Sequence, residues 1–131
     1  MKKLKVKKRY FNYIVILSED DHTVLQQRTQ KGIWQQLHEF PLVETQNEVD
    51  ESDLRKEHQF DHISELYGIE ALTLYQETSV VHKLYHQHLY TRFWIAHTQT
   101  KLDKGTPFKE IRQFAVPVLI SNFISDFASF N

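Results

Sequence analysis

The sequence predicts an α+β domain in which strands, an acidic helix, further strands and a closing helix follow one another. Three observations predict it. Tyr10 to Leu17 is an aromatic and β-branched run, Glu44 to Glu70 is an acidic stretch with a thin apolar stripe, and Val116 to Phe127 carries apolar residues at i, i+3, i+4 spacing.

Taken in order, the run YFNYIVIL (10–17) reads as a strand that stops at the polar turn Ser18-Glu19-Asp20-Asp21. A second strand from Thr23 to Arg28 follows at once, so the pair is expected to form an antiparallel hairpin. Gly32 falls in a loop leading to Trp34 and Leu37, and Glu39 to Thr45 reads as another extended segment. Pro41 places the start of that segment at an edge or after a turn, because proline has no N–H for a sheet ladder. Asp50 or Ser52 can cap one helix whose apolar positions are Leu54, Phe60, Ile63, Leu66 and Tyr67, ended by Gly68. Strands are expected near Leu72–Glu77 and Leu89–His97, with His82 to His88 joining or extending them. In the last element Val116, Leu119, Ile120, Phe123, Ile124 and Phe127 form one helical face, and Pro117 suits its first turn.

The 131 residues suit a single domain, 40% hydrophobic and 25% charged, which excludes a disordered chain. Its longest apolar run, Tyr13 to Leu17, is too short to span a bilayer, and no apolar signal segment follows the N-terminus. A soluble, cytoplasmic protein without a membrane partner is expected. With no cysteine, the chain holds no disulfide, thiolate zinc site, cysteine nucleophile or iron–sulfur cluster of its own. The formal net charge of −1 conceals an asymmetry. Lys2, Lys3, Lys5, Lys7, Lys8 and Arg9 are six of the 16 basic residues, while all 17 acids lie beyond them. Residues 1–9 thus form a basic arm, suited to lie on phosphates or to serve as a solvated tail, and residues 10–131 form the domain.

The run Gly32-Ile33-Trp34-Gln35-Gln36-Leu37-His38-Glu39-Phe40-Pro41 resembles the segment that leads into the Nudix box of nucleotide diphosphate hydrolases. That box places several carboxylates on one helix to hold magnesium against a diphosphate. Here Leu42-Val43 stands where glycines are expected, and the chain has no Arg-Glu or Glu-Glu dipeptide. Asp53, Glu57, Asp61 and Glu65 recur every four residues, as a diverged metal face or as a solvated helix face. A Nudix frame without its box resembles the C-terminal domain of MutY-type adenine DNA glycosylases. Arg28, Gly32, Trp34, Leu37 and Glu39-Phe40-Pro41-Leu42 match that family's R-x3-G-L-W-x2-L-W-E-F-P-L pattern, with Ile33 for leucine and His38 for tryptophan. Val81 to His86 resembles the segment that ends in the family's Phe-Ser-His loop, and Phe114 to Ile120, followed by Phe123-Ile124, resembles its terminal helix.

The resemblance implies a Nudix-like mixed β-sheet flanked by helices, and a domain that helps recognise 8-oxoguanine paired with adenine without catalysing a reaction itself. The implied partners are double-stranded DNA carrying that pair and the N-terminal catalytic domain of the same longer chain, which would hold the iron–sulfur cluster. No cofactor is expected in this domain, and the setting is the bacterial cytoplasm, on the nucleoid. Leu84, Tyr85 and His86 stand where the family has Phe, Ser and His. Oxidation turns guanine N7 into a donor and adds a carbonyl at C8, and a neutral imidazole can both accept and donate. His86 is therefore the first candidate reader, with Tyr85 and Leu84 beside it, although Leu84 and Tyr85 also suit the core or rim of a strand. His82, Gln35, Lys8 and Arg9 complete the candidate DNA contacts. His82, His86 and His88 also form an H-x3-H-x-H pattern, but alternating positions about 6.6 Å apart converge on a zinc ion only across a bend. Trp34 and Trp94 are expected to be packing residues.

Overall fold

In the computed structural model, which describes residues 5–131, the aromatic and β-branched run forms β1 (Lys7–Ser18). Lys2 and Lys3 of the basic arm lie outside the described residues. Short strands β2 (His22–Thr23), β3 (Gln26–Gln27) and β4 (His38–Glu39) follow, then β5 (Leu42–Thr45). Next come α1 (Glu51–Lys56), α2 (His58–Tyr67), β6 (Ile69–Leu74), β7 (Val80–Lys83), β8 (Gln87–Thr98) and β9 (Thr106–Pro107). A 3₁₀ turn at Phe108–Gln113, α3 (Val118–Asp126) and a last 3₁₀ turn at Ala128–Phe130 complete the chain.

The predicted α+β class holds, as a mixed sheet between helices. β1 and β8 run parallel from Lys7↔Gln87 to Ser18↔Thr98. β5 lies antiparallel on the outer edge of β1, and β6 and β7 both lie antiparallel along the outer edge of β8. A parallel pair needs cover on both faces, and every residue of β1 from Phe11 to Ser18 is buried. Alternation divides the core in two. Phe11, Tyr13, Val15 and Leu17 join Leu89, Phe93 and Ile95 beneath Leu119, Ile120, Phe123 and Ile124 of α3. Ile14 and Ile16 join Val43, Trp94 and Ala96 beneath Leu54, Phe60 and Ile63 of α1 and α2. Trp94 is a packing residue as expected, and its Nε1–H donates to Asn12 Oδ1 at 3.0 Å. Asn12 in turn donates to the Val43 carbonyl and to Thr45 Oγ1, so this buried polar group is satisfied.

Several elements differ from the sequence reading. No hairpin joins β1 to the segment after it: β5 and β8 take the edges of β1, while β2 pairs with β9 and β3 with β4. Ser18 Oγ accepts the His22 N–H, a side-chain closure in place of a ladder. The extended segment over 39–45 is split at Phe40-Pro41, and the Pro41 carbonyl accepts the Ile14 N–H at 2.9 Å. The single acidic helix is two helices. Asp50 caps the first by accepting the Asp53 N–H, and Glu57, extended at ψ 134°, separates it from the second. Gly68 ends the second in the left-handed region at φ 65°, as predicted. α3 matches the predicted closing helix with trimmed ends, Pro117 sitting at its N-cap.

α3 is fixed chiefly by aromatic packing. The Phe123 ring stacks on Phe93 at 4.2 Å and 9°, and meets Phe40, Tyr75 and Phe127 at its edges and faces. Phe123→Ala is expected to cost about 3–5 kcal/mol. Urea unfolding followed by circular dichroism checks this, with a lower midpoint at an unchanged slope.

Candidate nucleic-acid interface

β7 and β8 are joined by a tight turn. The Leu84 N–H donates to the Gln87 carbonyl at 2.7 Å and the Gln87 N–H to the Leu84 carbonyl at 3.3 Å, which leaves Tyr85 and His86 as a two-residue hairpin tip. The sequence leaves open whether Leu84 and Tyr85 are lesion contacts or core or rim residues of a strand. Leu84 is half-buried against the α3-side core, whereas Tyr85 is 81% exposed and His86 is exposed with its ring against Tyr85. Both residues of the tip are therefore open to solvent.

The basic arm arrives at the same place. Lys7 is the register partner of Gln87, and its N–H donates to the His86 carbonyl at 2.9 Å. Residues nearly eighty positions apart in sequence thus share one end of the sheet. Lys8 is exposed on the α1–α2 side, its Nζ 5.9 Å from the centre of the Tyr90 ring. Arg9 faces the α3 side and is engaged within the fold. Its Nε and Nη2 reach the Glu44 carboxylate at 2.8 and 2.7 Å, and Nη1 donates to Gln87 Oε1 at 2.9 Å. The hydrogen bond to Glu44 raises the Arg9 pKa further above its ordinary value, against a smaller opposing effect of burial. Arg9 therefore ties β1 to β5 and to the root of the tip.

His82 is half-buried on the α3 side, 5.9 Å from the Trp34 ring, which packs edge-on against Phe11. Trp34 is thus a packing residue, as expected. Trp34 and Gln36 take left-handed backbone conformations at φ 57° and 75°, and Gln35 between them is exposed. His88 lies on the opposite face, in register with Lys83 and Lys8. The H-x3-H-x-H pattern is therefore split, because the turn at Tyr85-His86 sends His82 and His88 to opposite faces and leaves His86 at the tip.

A Nudix-type magnesium site would draw on the acids of α1 and α2, and these residues do not fit one. The break at Glu57 interrupts the four-residue spacing, and Asp53, Asp61 and Glu65 are exposed. Glu51, at the start of α1, is paired with Arg55 at 2.9 Å. Among the described residues no three His, Asp or Glu side chains stand as a metal-holding group.

Sequence reasoning missed the polar network below the Trp34 loop. Arg28 Nη1 donates to both oxygens of Glu39 at 3.1 Å, and the Tyr13 hydroxyl donates to Glu39 Oε1 at 2.9 Å. Burial pushes the Glu39 carboxyl above its ordinary range, although Arg28 and Tyr13 both pull it down. Burial, with the nearby Glu39 charge, also raises the Tyr13 phenol. The Arg28–Glu39 spacing was visible as part of a family pattern, but its pairing depends on the β3–β4 register Gln27↔His38, which no local motif encodes.

The family model described as NUDIX domain matches residues 12–126. The fold is similar to the crystal structure of a MutT protein from Methanosarcina mazei Go1, with a TM-score of 0.60 and 14% sequence identity over 92% of this chain and 93% of that one. No curated protein sequence matches the chain.

Glu39 has a folded-state pKa above its ordinary value, so its contribution to stability is greatest below the ordinary carboxylate range and declines as pH rises through the raised value. Arg28→Ala leaves that carboxylate buried without its cation and is expected to cost about 3–5 kcal/mol near neutral pH. The deficit shrinks as pH falls and Glu39 takes up a proton. Urea unfolding of both proteins at pH 8 and pH 5 checks the magnitude and the sign.

Proposed function

This chain belongs to the Nudix domain family, and within it we propose a non-catalytic DNA-lesion recognition domain of a MutY-type adenine DNA glycosylase. Its ligand on this reading is duplex DNA in which 8-oxoguanine is paired with adenine. The observation that carries the reading is the exposed Tyr85-His86 tip, bound through the His86 carbonyl to the basic strand that begins at Lys7. A lesion reader needs polar groups free to reach a base edge, together with cations that hold the phosphates in register. Both occur here at one end of one sheet. The catalytic domain, with its iron–sulfur cluster, belongs on this reading to a separate part of the glycosylase. The domain itself needs no cofactor and acts in the cytoplasm on nucleoid DNA.

In this assignment the His86 imidazole accepts the N7–H that oxidation creates, and the Tyr85 hydroxyl on the same tip donates to the new carbonyl. Leu84, half-buried at the root of the tip, anchors it to the α3-side core, and His82 packs against Trp34 on the same side of the sheet. Gln35 is exposed on the neighbouring loop, free to reach the backbone. Arg9 is assigned to holding the tip in place through Gln87 rather than to a phosphate.

Fluorescence anisotropy with matched duplexes tests the reading. The chain is expected to bind more weakly as salt rises and to prefer 8-oxoguanine over guanine opposite adenine. His86→Ala should lose about tenfold of that preference, roughly 1.4 kcal/mol, while binding to the undamaged duplex changes little. Equal binding of the two duplexes at low salt overturns the assignment. So does sustained magnesium-dependent hydrolysis of 8-oxo-dGTP, which would make the chain an active Nudix hydrolase.

A further inference from the structure

On the α1–α2 side of the sheet, beyond the end of the helical cover, the strand registers build an ordered surface that the tip does not use. Lys83, His88 and Lys8 are direct partners across β7, β8 and β1. The next row along the strands is Val81, Tyr90 and Tyr10, with the two tyrosine rings stacked at 5.2 Å and 19°. Direct partners in neighbouring strands project from the same face. Lys8 confirms this by leaning over Tyr90. Lys8, Lys83 and Val81 are exposed, and His88 is half-buried.

Lys8 and Lys83 flank His88 from the two neighbouring strands, about 10 Å apart, so the row gathers two like charges on one exposed patch of the sheet. Among the described residues, Lys8, Lys83 and His88 form no ion pair. The cation one row beyond the tyrosines is different: Arg92 is paired with Glu48 at 3.2 Å and donates to the carbonyls of Val49 and Glu77. Glu44, the acid within β5 and the register partner of Phe11, is held by Arg9 on the other face. The sheet therefore supplies acids to the cations built into the fold and leaves the Lys83–His88–Lys8 row without one.

We propose that this row binds the DNA backbone, its two ammonium groups neutralising phosphates and the His88 imidazole donating an N–H between them, on a floor made by the Tyr10–Tyr90 stack. Adjacent strands stand about 4.8 Å apart, so the row spans about 10 Å. One strand of duplex DNA carries a phosphate for every 3.4 Å or so of helix axis, so a row of this length reaches two or three of them. The proposal rests on the DNA-binding reading and adds to it a second contact surface, on the opposite face of the sheet from Arg9. With the tip touching the base and the row touching the backbone, the duplex lies across the end of the sheet, and lesion preference and salt dependence belong to different residues.

The test compares binding of the full chain to undamaged and 8-oxoguanine duplexes over a range of salt concentrations. The double variant Lys8→Gln, Lys83→Gln is expected to lower the slope of log K against log salt by about two, since each phosphate contact contributes about 0.9. The preference for 8-oxoguanine should be kept. Lys101→Gln, Lys104→Gln removes the same charge from the loop after β8, at the far end of the sheet, and is expected to leave the slope unchanged. Normal binding with an unaltered slope in the Lys8/Lys83 variant overturns the row and leaves the tip assignment standing. An equal fall in the Lys101/Lys104 variant overturns it too, because only net charge would then matter. Absence of any duplex binding by the unaltered chain overturns both the row and the DNA reading.

Discussion

Parallel pairing of β1 with β8 over twelve residues of each is the constraint on which the rest of the molecule depends. A parallel pair buried on both faces obliges the chain to supply two apolar layers, and it does so with α3 on one side and the α1–α2 pair on the other. The same register brings the basic start of β1 to the start of β8, where the β7–β8 hairpin turns. Shifting it by one residue would move Arg9 and Phe11 to the wrong face and separate Lys7 from His86. Scaffold and candidate site are therefore set by one interaction.

Around that pairing, charge is used in two ways. Arg9 with Glu44 and Arg28 with Glu39 are internal pairs, each with a neutral partner as well, Gln87 in the first case and Tyr13 in the second. Both contribute geometry more than net stability: desolvation offsets much of the attraction in the buried Arg28–Glu39 pair, and solvent screens the exposed Arg9–Glu44 pair. The first fixes β5 to β1 and reaches the root of the tip through Gln87, and the second fixes the β3–β4 pair to β1. The lysines at the same end are not engaged in this way. The division between paired arginines and open lysines is what separates positioning from binding in this account.

Much of the fold was legible because it rests on local periodicity. The run at 10–17, the Asp50 cap, the Gly68 stop and the closing helix all follow from side-chain chemistry within a few positions. The expected hairpin of residues 10–17 with residues 23–28 does not form, because the polar turn at Ser18–Asp21 shows that the chain turns without showing which strand then occupies each edge of β1. The break at Glu57 is not legible for a similar reason: apolar spacing on either side suits one helix, and no local signal marks Glu57 as the point where it divides. At the site, Leu84, Tyr85 and His86 were found by resemblance, and the structure places them at a hairpin tip. The resemblance puts Arg9 on DNA, as part of the connector, and its pairing inside the fold is not legible locally, because its partners Glu44 and Gln87 are 35 and 78 residues away.

Amide hydrogen exchange measured with and without an 8-oxoguanine:adenine duplex tests the central claim most directly, namely that the shared end of β1 and the β7–β8 hairpin is the working surface. The account predicts slowed exchange at Lys7–Tyr10 together with Leu84–His88, with α1 and α2 unchanged. Slowed exchange confined to residues 51–67, on adding either the duplex or an oxidised nucleotide with magnesium, would contradict it and return the function to the acidic helices.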